Sequence, residues 1–141
     1  MVFTSHMTLA LEEARAAARA GEVPVGAVVI GPDGAVLARA RNRMRELCDP
    51  TAHAEMLAIR AACAALGSER LAGCDLYVTL EPCTACAGAI SAARIARLYY
   101  GAADPKSGGV AQGPRVFDHA QAHHKPEVYG GIAERAASEL L

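Results

Sequence analysis

The stretch from Asp75 to Ala102 narrows the possible folds more than any other part of the chain. DLYVTL (75–80) and RLYYGA (97–102) carry the aromatic and β-branched residues of strands, and CTACAGAISAAR (83–94) between them is rich in small helix-formers. Pro82 suits the first helical position, so a helix is predicted to open there. The same alternation runs upstream. Residues 5–20 place Leu9, Ala10, Ala14, Ala17 and Ala18 at helical spacing and stop at Gly21. VPVGAVVI (23–30) and AVLARARN (35–42) flank GPDG, the pattern of a hairpin. A second helix follows DPT, with Thr51 as the expected N-cap, and runs to about Leu66 before Gly67. Residues 103–126, with two Pro-bearing turns and SGG, read as loop; a short strand at 127–129 and a helix from about Ile132 close the pattern. Helices that separate strands imply an α/β fold: a three-layer α/β/α domain whose mixed sheet is covered on both faces.

A length of 141 residues suits one domain with one substantial core, so residues 1–141 are expected to form a single domain. No apolar run reaches the length of a membrane span and no basic leader precedes a long apolar stretch, which makes a cytoplasmic protein without a membrane partner the default expectation. No phosphate-cradling glycine loop appears, and no nucleotide cofactor is expected. With a net charge of -1 there is no global electrostatic footprint for nucleic acid, so any such binding must use a local patch.

Five cysteines at irregular spacing argue against a disulfide framework. Cys83 and Cys86 are three apart and fall on one side of a helix, in a first turn whose dipole and free amides favour thiolates. His53 and Glu55 are two apart; deep in a helix they would diverge, but at an N-terminus both can meet a ligand approaching along the axis. Two thiolates and an imidazole suit Zn²⁺ and leave a fourth tetrahedral position for water, beside which a carboxylate such as Glu55 can exchange protons. Two plainer readings compete. A CxxC pair can be a redox site, which gives HAE no role, and His6, His119, His123 or His124 could complete a purely structural zinc.

HAE followed by PCTAC matches the signature of the zinc nucleobase deaminases, H-x-E then P-C-x-x-C. Across GEVPVGAVV (21–29), Asn42, DPTAHAE (49–55), LYVTLEPC (76–83), CAGAI (86–90), ARI (93–95) and YGAADPKSGG (100–109), the chain resembles the bacterial tRNA adenosine deaminases of the cytidine/deoxycytidylate deaminase superfamily. The resemblance implies hydrolytic deamination of the wobble adenosine of a tRNA anticodon loop to inosine, with release of ammonia. It implies one Zn²⁺ per chain on His53, Cys83 and Cys86, and Glu55 as the catalytic acid-base that takes a proton from water, passes it to the ring and helps ammonia leave. Asn42 and the backbone amide of Ala54 would hold the purine, and the Asp104 to Lys106 segment would meet the anticodon stem-loop. A homodimer is implied on the same ground. Guanine deaminases of the superfamily share DPTAHAE and the cysteine pair, but tend to carry an aromatic after the Pro where this chain has GEVPVGAV, and lack DPKSGG. A zinc-stabilised RNA-binding module without catalysis would not need the intact Glu55.

One feature stands outside the resemblance. Arg39, Arg41, Arg43 and Arg45 alternate through ARARNRMRE, so in an extended chain all four guanidiniums would face one way and could track phosphates, or simply form a solvated strand face.

Overall fold

The computed structural model describes residues 2–141, with side chains from His6 onward. The first helix, α1 (Val2–Arg19), buries Met7, Ala10, Leu11, Ala14 and Ala17, the i, i+3, i+4, i+7 stripe of a one-faced helix, while Ala18 lies exposed beyond it. The chain leaves α1 through Gly21, whose φ of 79° only glycine adopts freely. Strands β1 (Gly26–Ile30) and β2 (Val36–Arg41) form the expected hairpin, closed by the Gly31 amide donating to Ala35 O and tightened by Asp33 Oδ1 accepting from the Ala35 amide.

After β2 the chain turns into a four-residue helix, α2 (Met44–Leu47), which the alternating arginines did not suggest. Helix α3 (Ala54–Leu66) follows and ends at Gly67 in the left-handed conformation. Then come β3 (Asp75–Leu80), α4 (Thr84–Ala93), β4 (Arg97–Ala102), a 3-10 turn at Val116–Asp118, β5 (Glu127–Tyr129) and α5 (Glu134–Glu139). Strand β1 starts three residues later than its apolar run, because the Val23–Val25 segment bonds within itself and to Asn42 instead of joining the ladder.

The sheet order is β2-β1-β3-β4-β5, with β1 antiparallel to both neighbours and β3, β4 and β5 parallel. Such a mixed sheet needs cover on both faces, and the side chains alternate accordingly. Ala27, Val29, Leu76, Val78, Leu98 and Tyr100 pack toward α3 and α4. Val28, Ile30, Tyr77 and Tyr99 pack toward α1 and α5. On that second face the parallel register places Tyr77, Tyr99 and Tyr129 side by side, with ring centroids 4.4 and 5.0 Å apart and nearly parallel planes. The three-layer α/β/α arrangement expected from the alternation is the one observed. Among the described residues no helix is long and apolar enough to cross a membrane.

Helix α1 packs directly over Gly26. A Cβ there would land on the carbonyl oxygen of Ala10 and 2.5 Å from the Ala14 nitrogen, both backbone atoms that cannot swing aside. Gly26→Ala is therefore expected to cost about 3 kcal/mol, the upper end of overpacking penalties, and to lower the urea midpoint accordingly. A loss below about 1 kcal/mol would show that α1 is free to lift off the sheet.

Candidate active site

Two helices begin at the same end of the sheet, and the site lies between their N-termini. His53 is the N-cap of α3 and Cys83 the N-cap of α4, both with extended backbone, and Cys86 sits in the first turn of α4. These positions correct two local expectations. Thr51 does not cap α3, because its amide and hydroxyl both go to Asp49 Oδ1 in the preceding turn. Pro82 does not open α4; it lies one residue before the N-cap, so Cys83 points across the helix end and only Cys86 stands within the helix.

His53 Nδ1 lies 3.7 Å from Cys83 Sγ and 3.4 Å from Cys86 Sγ, and the three donor atoms lie within 4.8 Å of one another. With Zn–S near 2.3 Å and Zn–N near 2.0–2.1 Å, a tetrahedron has S···N edges of roughly 3.6 Å, so the observed spacing fits zinc. The thiols are unequal. The neighbouring Cys86, with the first-turn amides and His53, brings the Cys83 thiol down to about 5 against its partial burial. Cys86 is pushed up by the same partnership, by its own burial and by Glu55.

Glu55, in the first turn of α3, is 4% exposed, and burial pushes its carboxyl up to about 7 in spite of its own backbone amide and the neighbouring His53. His53, Glu55 and Cys83 line a cavity of about 130 Å³, shared with Asn42, Glu81 and Asp104. That is well below the roughly 300–1,000 Å³ of pockets that enclose drug-sized ligands, and suits one flat ring system.

Asn42 and Ala54, both expected to touch a purine, are bonded to each other: the Ala54 amide donates to Asn42 Oδ1 at 2.7 Å. Asn42, 4% exposed, thereby caps α3 from twelve residues away. The Ala54 amide is occupied, and the Asn42 amide nitrogen is the group left without a protein partner among the described residues. Asp104 lines the cavity and turns its own loop, with Oδ1 accepting from the Lys106 and Ser107 amides. Lys106 is exposed on that loop.

Two buried carboxylates that sequence reasoning passed over organise these segments. Glu22 accepts from the Arg45 and Glu46 amides and so caps α2. Glu81 accepts from four amides of the loop after β4. The only signal in the sequence was acidic residues inside otherwise apolar motifs, GEVPVG and TLEPC. The arginine alternation does not form an extended stripe, because β2 ends at Arg41 and Arg45 lies in α2. Arg39 pairs with Glu12 and Glu13, and Arg41 and Arg43 with Glu46, which neutralises most of that face.

Comparison with known proteins identifies the family and the fold. The family described as the cytidine and deoxycytidylate deaminase zinc-binding region matches residues 3–102. The tRNA-specific adenosine deaminase of Agrobacterium fabrum is 61% identical over 98% of this chain and 90% of its own length. A solved structure from work on A-to-I editing by tRNA:A34 deaminases superposes with a TM-score of 0.96 at 61% identity, covering 98% of this chain and 99% of that one. The guanine deaminase of Nitrosomonas europaea shares the fold at a TM-score of 0.82 but only 25% identity, over 97% of this chain and 81% of that one. The match spans His53, Glu55, Cys83 and Cys86, and the chain belongs to the cytidine and deoxycytidylate deaminase family, alongside its tRNA-specific adenosine deaminases.

Proposed function

We propose that the protein deaminates the wobble adenosine of a tRNA anticodon loop to inosine by hydrolysis, releasing ammonia, and that it does so in the cytoplasm. The observation that carries this reading is the convergence of His53, Cys83 and Cys86 beside the buried Glu55 in a cavity sized for one base. The 61% identity to a tRNA-specific adenosine deaminase over nearly the whole of both chains supports the RNA substrate over a free base.

His53, Cys83 and Cys86 would hold one Zn²⁺ per chain, which when bound supplies Lewis-acid activation of water near neutral pH. Glu55, in this reading, accepts a proton from the attacking water on a carboxylate oxygen and delivers it to a purine ring nitrogen, then takes the second proton from the hydroxyl now on the ring carbon and passes it to the departing amine, which leaves as ammonia. Asn42 offers its free amide nitrogen to the base while its oxygen keeps α3 capped. Val23, Val25 and Leu80 on the cavity wall exclude bulk water from the flipped-out base. Asp104 and Lys106, at and beside the cavity rim, meet the anticodon backbone. The chain works as a homodimer in which a neighbouring subunit completes the pocket.

Offered an anticodon stem-loop, guanine and cytidine separately, the purified protein is expected to release ammonia from the stem-loop alone; turnover of guanine at a comparable kcat/KM would overturn the assignment. Metal-replete protein is expected to hold one zinc per chain by elemental analysis and Cys83→Ser to hold much less. Glu55→Gln should keep both zinc and stem-loop binding while turnover falls by about 10⁴ or more, since the residue serves more than one proton step. A Gln variant that loses zinc would make Glu55 a ligand. Light scattering at micromolar concentration is expected to report a dimer, and a monomer under turnover conditions would remove the shared-pocket element of the proposal.

A further inference from the structure

Glu81 stands between β3 and the metal-donor turn and is 2% exposed, yet it has no cationic partner among the described residues. Its charge is met entirely by backbone dipoles of one loop. Oε1 accepts from the Asp104 amide at 3.0 Å, and Oε2 accepts from Val110, Ala111 and Gln112 at 3.2, 2.8 and 3.0 Å. The loop is pressed against this carboxylate through Gly108, where a Cβ would lie 2.6 Å from the carboxyl carbon. It is also tied to the cysteine turn: Gly108 bridges Cys83, and the Gly109 amide donates to Pro82 O at 2.8 Å. One buried residue therefore links the cysteine turn to a segment that lines the same cavity through Asp104 and Ser107. The two oxygens divide the work, since Oε1 holds only Asp104, whose side chain in turn orders Lys106 and Ser107.

We propose that Glu81 is a positioning residue for substrate recognition: through Oε1 it sets the Asp104–Lys106 segment against the RNA, and through Oε2 it anchors the rest of the loop to the cysteine turn. The RNA part rests on the function proposed above.

Glu81→Gln separates the two jobs, because an amide offers one acceptor where the carboxylate offers two. Three donors outcompete one, so the amide oxygen stays with Val110, Ala111 and Gln112 and the NH₂ group confronts the Asp104 N–H. In the zinc-loaded variant, hydrogen exchange is expected to speed up at Asp104, Lys106 and Ser107 while Val110–Gln112 remain protected, with zinc content equal to that of the parent. The stem-loop KM should rise roughly tenfold with kcat within about threefold, the loss of one charge-assisted hydrogen bond. Gly108→Ala, whose Cβ would press on both the Glu81 carboxylate and the Asp104 carbonyl oxygen at 2.6 Å and so wedge the two apart, is expected to give the same split between KM and kcat and keeps the test alive should the Gln variant fold poorly. Unchanged exchange at 104–107, or a fall in kcat with KM unmoved, would overturn the proposal. If the selective exchange appears but the parent protein is inactive on the stem-loop, the RNA reading fails while Glu81 stands as the loop's anchor.

Discussion

Parallel pairing of β3 with β4 is the constraint from which the rest follows. Parallel neighbours cannot be joined by a tight turn, so the chain must leave the end of β3, cross a face of the sheet and return, and α4 is that crossing. Its N-terminus is thereby fixed at the carboxyl end of β3, with Cys83 at the cap. The hairpin of β1 and β2 brings Arg41 and Asn42 to the same end, and α3 departs from there with His53 at its cap. Two amide-rich helix starts then face one another, and donors thirty residues apart in sequence come within bonding reach of one ion.

Three carboxylates are buried around this junction, and their surroundings sort them. A buried charge is tolerated when its lone pairs are met by donors, and Glu22 and Glu81 are met by backbone amides of α2 and of the 104–112 loop. Glu55 meets only its own amide, the Cys86 thiol and the nearby His53, and burial outweighs them and lifts its pKa. The two satisfied groups hold segments in place, whereas Glu55 anchors no segment from another element. Motif position alone does not distinguish them.

Much of this was legible in the sequence. Strand and helix periodicities located β3, β4 and β5 at their observed bounds, and the spacing of His53, Glu55, Cys83 and Cys86 named the group that converges. What escaped were the ends of elements. Local rules look for a cap within three or four residues, and they chose Thr51 and Pro82. The groups that do this work arrive from elsewhere: Asn42 for α3, Glu22 for α2, Glu81 for the loop. Such long-range caps exist only once the sheet has assembled, so no window along the chain contains them. The arginine alternation failed for the same reason, since nothing in ARARNRMRE shows that a carboxylate from Glu22 waits to start a helix at Met44.

The tyrosine ladder has an optical consequence. The chain has no tryptophan and four tyrosines, and all four lie on β3, β4 or β5, three of them in one stack. Near-ultraviolet dichroism and intrinsic emission therefore report the registry of the parallel half of the sheet. No tyrosine lies on β1, β2 or α3 themselves, so these signals report on those elements only through contacts such as the Val28–Tyr77 pairing. Far-ultraviolet dichroism, dominated by α1, α3 and α4, reads the helical layers instead, so the two signals together resolve whether the helices that carry the site come apart before the sheet beneath them.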